Sequence, residues 1–271
     1  MTRGIIPNMV SAERSAQPDA AALLPPCMAG LMRWPSAAAI AAVGFAALLI
    51  AYNNVLYVKL AWAFPSPWIL YPRAVLLPAL ALFWALRVRR LSWRELGLAG
   101  DRGLSGAASG LAAAVVAAAP VALFLVVASQ LFGSAFAFRN IDGVSDDLGY
   151  ALFWAFVLYP LHTVIFEEVL FRGVLQGLAT RAFGAGWGIV LPAGAFALWH
   201  PMVNYQVLGE ARIAEHAPLF AGGVVLALAG IFLGGLVMGA MRHYTNSLLA
   251  PIVFHWAFLV SLGGVLFLLA Q

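Results

Sequence analysis

Two adjacent carboxylates and a guanidinium interrupt the long apolar run from Gly149 to Leu178. They are Glu167, Glu168 and Arg172. An ionisable side chain at bilayer depth costs several kcal/mol unless it is paired or lines a wet cavity, and such residues by default mark a functional site. This segment therefore constrains the fold more strongly than any other stretch of the chain.

The spacing of these residues assigns them different surroundings. In a helix Glu168 and Arg172, four positions apart, lie on one face with the acid toward the N terminus, so they can form an ion pair. Glu167 points about 100° further round the helix. We expect one carboxylate to be held by the arginine and the other to stay free to titrate. A structural ion pair alone would explain Glu168 and Arg172 but would leave Glu167 unpaired.

The composition indicates a membrane protein of the all-α class. The chain is 63% hydrophobic and 10% charged, whereas a soluble domain has about 25% charged residues. Its single cysteine, Cys27, excludes an internal disulfide framework and a cysteine-based zinc site. The formal net charge of +4 does not indicate nucleic acid, because most basic residues flank apolar runs. We predict no cofactor and no metal, and we predict nothing about oligomeric state.

The apolar runs predict a polytopic transmembrane helical bundle. Residues 1–33 are polar and predict a poorly ordered N-terminal tail, and residues 34–271 predict a single transmembrane domain with its catalytic core at about 149–260. We count about seven spans, or eight if the proline-rich second run re-enters the bilayer. The runs are Ala37 to Tyr52, Trp62 to Leu86, Leu104 to Phe132, Gly149 to near Arg181, Gly188 to about Tyr205, Leu219 to Met241, and Asn246 to Ala270.

Basic residues predict the orientation. The segment from Arg87 to Arg94 contains four arginines. It is predicted to be a cytoplasmic loop, because positively charged loops stay on the cytoplasmic side of the membrane. We therefore expect the N terminus in the cytoplasm, the C terminus outside, and a multi-pass location in the cell membrane, with the bacterial inner membrane as the expected compartment.

Three ionisable residues from different spans are predicted to reach a similar depth. If the inner ends of their spans lie near residues 180, 187 and 246, Glu167, His200 and His255 lie about 20, 20 and 14 Å from those ends. A carboxylate with two imidazoles in a polar pocket suits hydrolysis by an activated water. The glutamate would act as general base, one histidine would orient the water or shuttle its proton, and the other would donate a hydrogen bond to the developing oxyanion.

Three motifs in this order resemble the CAAX prenyl protease and bacteriocin-processing family, the glutamic intramembrane endopeptidases. The motifs are EExxxR from Glu167 to Arg172, FxxxH from Phe196 to His200, and the segment from Thr245 to His255. The sequence Glu95-Leu-Gly-Leu98 resembles an early loop of the same family. The resemblance extends over roughly residues 90–260.

The resemblance implies a role for each matching residue. Glu167 would activate water with the assistance of His200, Glu168 and Arg172 would support that glutamate, and His255 would help to form the oxyanion site. The implied partner is a hydrophobic peptide or membrane-anchored protein, cut during the processing of a leader, a sorting signal or a CAAX-like tail. The lipid bilayer is the other implied partner.

One position departs from the family pattern. The family usually has an asparagine four residues after the last histidine, and this chain has Leu259, whose side chain cannot donate a hydrogen bond. Loss of one oxyanion donor commonly costs 10²–10³ in rate. Replacement donors in the sequence are Asn204, Trp256 and Ser261.

Two other classes of function compete with this interpretation. A zinc-dependent membrane protease could use Glu167, His200 and His255 as ligands, although the usual HExxH motif is absent. A non-catalytic immunity or scaffolding protein, or a proton-coupled transporter, would retain a carboxylate in the bilayer without hydrolysing anything.

Overall fold

The computed structural model describes residues 36–57, 59–60, 72–99, 103–132, 147–209 and 217–270. The predicted N-terminal tail, residues 1–33, lies outside these residues, as do Cys27 and His216. All the regular structure in the described ranges is helical, and they contain no β-strand. The α-helices are α1 (Ala37–Ala51), α2 (Arg73–Arg87), α3 (Gly103–Phe132), α4 (Leu148–Phe153), α5 (Ile165–Glu168), α6 (Gln176–Trp199), α7 (Pro201–Gly209), α8 (Ala217–Thr245) and α9 (Leu249–Ala270).

Five stretches of the described residues are long and apolar enough to cross a membrane. They are Ala37–Tyr57, Gly103–Leu131, Leu148–Gly209, Ala217–Thr245 and Leu249–Leu269. The chain is therefore a helical, multi-pass membrane protein. The count of seven spans stays a prediction, because much of the second predicted span lies outside the described residues.

Polar side chains start two of these helices. The Ser36 hydroxyl accepts a hydrogen bond of 3.1 Å from the backbone N–H of Ala39 at the start of α1. The Asp147 carboxylate accepts bonds of 2.7 and 3.2 Å from the N–H groups of Gly149 and Tyr150 at the start of α4. Each cap satisfies donors that the first turn of a helix leaves without an internal partner.

The stretch Leu148–Gly209 bends at Gly184. Its 62 residues would extend about 93 Å as one straight helix, three times the hydrocarbon thickness of a bilayer. Gly184 has φ 83° and ψ 176°, a conformation that is essentially restricted to glycine. The sequence predicted a break between Arg181 and Gly188, but the structure confines the non-helical backbone to Gly184, and α6 continues on either side.

Wider, π-helical turns flank the two glutamates. Trp154–Val164 and Val169–Leu175 are π-helical, and Ile165–Glu168 between them forms the short α5. Pro160 lies within the first of these segments and lacks the N–H that a regular turn would use. A π-helical turn shifts the angular position of the side chains that follow, and such turns are frequent at functional sites.

The stretch that carries the glutamates is the centre of the fold. Every residue from position 166 to position 179 is buried, whereas many leucines and valines of the other helices are exposed on the outer surface of the bundle. Around this centre α9 packs along α3, and α6 packs against α1 and α8. The charged residues of the central stretch are therefore surrounded by protein and not by lipid.

A loop of residues 91–98, the Glu95 loop, ties several helices together. The Glu95 carboxylate accepts bonds of 2.7 to 2.9 Å from the Arg181 guanidinium and bonds of 2.8 Å from the backbone N–H and hydroxyl of Ser92. The Glu95 carbonyl accepts a bond from Arg242 of α8. Burial acts to raise the pKa of the Glu95 carboxyl, but Ser92 and the Arg181 guanidinium together hold it below its ordinary value.

Candidate active site

Glu168 lies at the centre of a buried network of charges. Its Oε1 accepts a hydrogen bond of 3.0 Å from Nη1 of Arg172 and one of 2.9 Å from Nδ1 of His255. The side chains of Glu168 and Arg172 are fully buried. The ion pair expected from the four-residue spacing is present, and it also fixes the imidazole of a residue that is distant in the sequence.

Glu167 is buried without a comparable partner. The residue is 6% exposed, and its Oε2 has no hydrogen-bond partner among the described residues. The nearest basic atom in an ion-pair geometry is Nε2 of His255, at 4.0 Å from that oxygen. This separation is too long for a hydrogen bond and suits one oxygen atom of a water or a substrate lying between the two groups.

The hydrogen bond to Glu168 assigns the ring nitrogens of His255. A carboxylate paired with an arginine accepts but does not donate, so Nδ1 carries the proton that is shared with Glu168. In a neutral ring Nε2 is then an acceptor, and in an imidazolium it is a donor. Either form directs Nε2 of His255 toward Glu167.

His200 lies at the end of α6, where Pro201 prevents the helix from continuing through it. Its Nδ1 is 2.7 Å from the carbonyl oxygen of Phe196, and because a carbonyl can only accept, Nδ1 donates this bond. Nε2 of the neutral ring is therefore free to accept. The ring lies close enough to Glu167 and His255 for their charges to act on it.

The ring of Phe196 joins the separate parts of the site. Its centroid is 4.7 Å from that of His200 and 5.9 Å from that of His255, both in edge-on geometry. The Arg172 guanidinium carbon lies 4.1 Å from the same centroid, a distance that permits a cation–π interaction. Phe196, the first residue of the FxxxH motif, thus packs against the candidate catalytic residues themselves.

Two asparagines that follow the first predicted apolar run, within the stretch Ala37–Tyr57, also reach this region, and the sequence interpretation missed them. Nδ2 of Asn53 donates a bond of 2.8 Å to the carbonyl oxygen of Trp199. Nδ2 of Asn54 donates a bond of 2.8 Å to the carbonyl of Leu198, and its Oδ1 accepts one of 3.2 Å from the N–H of Met202. Together they satisfy backbone groups on both sides of the break at His200. The available signal was a pair of adjacent amide side chains directly after an apolar run.

The three donors considered as replacements for the missing asparagine differ in availability. The indole N–H of Trp256 donates to the Ala155 carbonyl at 2.8 Å, and the hydroxyl of Ser261 donates to the Ala257 carbonyl at 2.7 Å. Nδ2 of Asn204 is buried and has no hydrogen-bond partner among the described residues. Asn204 is therefore the candidate whose donor is not already engaged.

The remaining histidines in the described residues are outside this network. His162 is close enough to Arg73 for their charges to interact, and His243 packs against the ring of Tyr244 at 5.2 Å. No group of three or more His, Cys, Asp or Glu side chains in the described residues is arranged to hold a metal ion. The ligand set of Glu167, His200 and His255 considered for zinc does not have the required geometry here.

The described helices thus enclose a buried network of carboxylates, an imidazole and a guanidinium, in which Oε2 of Glu167 has no hydrogen-bond partner among the described residues. Residues 149–260 match the family model described as type II CAAX prenyl endopeptidase Rce1-like. This segment of the chain is thus similar to the Rce1-like family, and the resemblance stated from its motifs is confirmed over residues 149–260. At the level of the family, this match supports CAAX-type intramembrane proteolysis. Searches of curated proteins and of solved structures found no match.

Proposed function

We propose that this protein is an intramembrane endopeptidase in which Glu167 activates the hydrolytic water. The observation that carries the proposal is the buried Oε2 of Glu167, which has no partner among the described residues and lies 4.0 Å from Nε2 of His255. A carboxylate in this setting is available as a general base, since no hydrogen bond competes for its proton-accepting oxygen. The proposed site comprises Glu167, Glu168, Arg172, His200 and His255.

The balance of charge supports a donor role for His255. Two ionised carboxylates and one guanidinium leave a net negative charge in a site from which bulk water is excluded. An imidazolium at His255 would balance that charge, because its Nδ1–H bonds to Glu168 and its Nε2–H faces Glu167. Nε2–H could then donate to the oxyanion of a tetrahedral intermediate, a contribution that is commonly worth 10²–10³ in rate.

The reaction proceeds in two proton-balanced steps. Glu167 removes a proton from water while the water oxygen attacks the scissile carbonyl carbon, and the oxyanion that forms accepts a bond from His255. The acid formed at Glu167 then gives its proton to the amide nitrogen as the C–N bond breaks. The products are a carboxylic acid and an amine, which ionise to a carboxylate and an ammonium group, and Glu167 is again a carboxylate.

The other members of the site position these two groups. His200 accepts through Nε2 and orients the water, because its Nδ1 is committed to the Phe196 carbonyl. Arg172 holds Glu168, and Glu168 in turn holds the ring of His255. Asn204 is proposed as a second oxyanion donor in place of the asparagine that the family has at the position of Leu259.

The proposed substrate is a hydrophobic peptide or a membrane-anchored protein that is locally unwound at the scissile bond, because a regular helix shelters its amides. We propose that the enzyme is located in the bacterial inner membrane. The N terminus and the Glu95 loop would lie on the cytoplasmic side, as the arginine-rich segment indicates.

The test is peptide cleavage by purified protein in detergent micelles. The probes are three fluorescence-quenched peptides: an isoprenylated CAAX-type tail, a leader-type peptide and a C-terminal apolar anchor. We expect the wild type to cleave at least one of them and Glu167→Gln to reduce its rate by 10²-fold or more, in line with the loss of a general base.

His200→Ala should have a similar effect, and His243→Ala is its matched control, because His243 contacts only the ring of Tyr244 among the contacts described. Thermal unfolding of each variant establishes that it is folded. Undiminished cleavage by folded Glu167→Gln protein would exclude Glu167 as the base and would end the proposal.

A further inference from the structure

A row of polar side chains runs along the buried stretch that carries the glutamates. Glu168, Arg172 and Gln176 follow one another at intervals of four residues, so they lie along one side of this stretch. All three residues are fully buried. The hydrogen bond between Glu168 and Arg172 shows that side chains at this spacing meet here. These three residues and Arg242 of α8 are called the polar row.

Arg242 extends the polar row to the Glu95 loop. Nε2 of Gln176 donates a hydrogen bond of 2.8 Å to the carbonyl oxygen of Gly239, and Arg242 follows Gly239 within one turn of α8. The Arg242 guanidinium donates to the carbonyl oxygen of Glu95. The polar row therefore leads from the candidate active site to the part of the bundle that holds the Glu95 loop.

Each residue of the polar row has a buried polar atom without a hydrogen-bond partner among the described residues. These atoms are Oε2 of Glu168, Nε and Nη2 of Arg172, Oε1 of Gln176 and Nε of Arg242. Along the row acceptors on the carboxylate and the amide alternate with donors on the two guanidinium groups. Because buried polar groups are normally paired, four such residues in one row call for partners from outside the chain.

Water is the partner that fits this alternation. One water molecule can accept a bond from a guanidinium N–H and donate to a neighbouring carboxylate or amide oxygen, so it satisfies both kinds of atom together. Residues four apart on a helix are separated by about 5–6 Å at their Cβ atoms, and two hydrogen bonds of about 2.8 Å through a water oxygen cover a similar distance. An anion would be repelled by Glu168 and would leave Oε1 of Gln176 without a donor.

Two glycines leave room beside these atoms. A Cβ at Gly239 would lie 3.6 Å from Oε1 of Gln176, and a Cβ at Gly97 would lie 3.1 Å from Nε of Arg242. Any larger residue at either position would place side-chain atoms next to the polar atom. Buried waters occupy sites that are both polar and roomy, and the glycines favour such sites here.

We infer that the polar row binds internal water molecules that lead from the Glu95 loop to the catalytic carboxylates. One water is consumed for each peptide bond that Glu167 hydrolyses, and an apolar substrate in the site excludes bulk water. The row ends at Glu168, which adjoins Glu167, so it supplies water from the protein side. Gln176 is a positioning residue, because its Oε1 holds the water in the middle of the row. This inference rests on the proposed function, because the water serves the same site.

The direct test is an experimental structure of the wild type at a resolution that shows ordered water. We expect an ordered water within hydrogen-bond distance of both Oε1 of Gln176 and an N–H of Arg172. A structure in which Oε1 of Gln176 has no water bonded to it would overturn the inference. This test requires no variant, so it does not depend on the folding of a mutant protein.

The kinetic test compares Gln176→Leu with Gln176→Glu in the cleavage assay. Both variants lose the amide group that bonds to Gly239, but Gln176→Glu keeps an oxygen that can accept from water. We expect Gln176→Leu to lower kcat about tenfold or more, as for a buried polar partner left unsatisfied. Its KM should stay within about twofold of the wild-type value, because the substrate does not contact this residue. Gln176→Glu should recover most of the lost kcat.

The pair of variants separates water binding from a structural role, because the lost contact with Gly239 is common to both. Wild-type kcat in folded Gln176→Leu, an effect confined to KM, or equally low kcat in both variants would overturn the inference. If Gln176→Leu does not fold, the ordered water and the kcat of Gln176→Glu decide. A kcat of Gln176→Glu as low as that of Glu167→Gln would then count against the inference.

Failure of this inference is distinguishable from failure of the proposed function. If Glu167→Gln abolishes cleavage while Gln176→Leu cleaves at the wild-type rate, the proposed function stands and the water-filled row does not. If Glu167→Gln cleaves at the wild-type rate, the proposed function fails whether or not water is bound at Gln176.

Discussion

Oε2 of Glu167 and Nε2 of His255 lie 4.0 Å apart across two helices. The separation is a property of the buried network, because Nδ1 of His255 is fixed by Glu168 and Glu168 is fixed by Arg172. An oxygen atom between Glu167 and His255 can contact both groups. The ion pair between Glu168 and Arg172 thus contributes to the site by fixing the position of the His255 ring.

The buried ion pair should show strong coupling. Glu168→Gln leaves the fully buried Arg172 without its carboxylate, and breaking a buried pair in this way costs about 3–5 kcal/mol. The double variant Glu168→Gln/Arg172→Met removes the uncompensated charge and should be more stable than Glu168→Gln alone. Thermal unfolding in detergent measures the difference, and a double variant less stable than the single variant would contradict the prediction. Both variants should lose peptidase activity.

Asn53 should affect activity from outside the catalytic network. Asn53→Ala removes the donor to the Trp199 carbonyl and leaves a buried acceptor unsatisfied, at a cost of about 1–3 kcal/mol. Because Trp199 adjoins His200, we expect kcat of the cleavage assay to fall about tenfold or more while the protein stays folded. Val55→Ala is the control, since Val55 is 53% exposed in the same segment. Equal kcat values for the two variants would separate Asn53 from the positioning of His200.

An asparagine introduced at position 259 should compensate for the loss of the Asn204 side chain. Asn204→Ala removes the proposed second oxyanion donor, and a loss of about 10²-fold in kcat is expected if the amide contacts the oxyanion. Leu259→Asn restores an amide one helical turn after His255, so activity should return in the double variant. Single-turnover rates of the four proteins test this. Full activity of Asn204→Ala would show that the oxyanion is held without that side chain.

Gly177 should not tolerate a side chain. A Cβ at this position would lie 2.7 Å from the Glu95 carbonyl oxygen, so Gly177→Ala must displace the Glu95 loop. Such overpacking costs about 1–3 kcal/mol. Gly194→Ala in the same helix is the control, because nothing lies within 4 Å of a Cβ there. Unfolding midpoints of the two variants should differ, with Gly177→Ala lower, and coincident midpoints would refute the contact.

Glu95 should give the wild type a stability advantage that depends on pH. The pKa of its carboxyl is lowered in the folded protein from an ordinary value of 4.5. Its contribution is therefore complete above about pH 4.5 and is lost as the pH falls through the lower folded-state value. The stability difference between wild type and Glu95→Gln should shrink in that acidic range and stay constant near neutrality. A difference that grows on acidification would show that the sign is wrong.

The helical class and the central ion pair were predictable from sequence because each depends on local rules. Apolar composition and length predicted membrane-spanning helices, and the four-residue spacing predicted the contact between Glu168 and Arg172. Both follow from the geometry of one helix, so neither required knowledge of how the helices pack. The residues named for the site depend on function as well, and their roles stay predictions.

The contacts that the sequence did not predict join distant segments. Nothing in the spacing of Asn53 indicates the carbonyl of Trp199 as its partner, because that pairing depends on how the segment after α1 packs against the end of α6. The π-helical turns around Glu167 were also unpredicted, since they depend on a proline and on packing and not on hydrophobic period. The sequence placed a break between Arg181 and Gly188, and the structure places the non-helical residue within that interval, at Gly184.

The hydrogen bonds of Asn53 and Asn54 show that the segment with sequence similarity is shorter than the part of the chain that must fold together. The matched segment begins at residue 149, yet Asn53, Asn54 and the Glu95 loop complete its hydrogen bonds from upstream. A recombinant fragment that starts at the similarity boundary would expose the carbonyls beside His200 and lose the partner of Arg181. Chimaeras with related domains should therefore exchange the chain from Ser36 onward, so that the backbone beside His200 keeps the asparagines that bond to it.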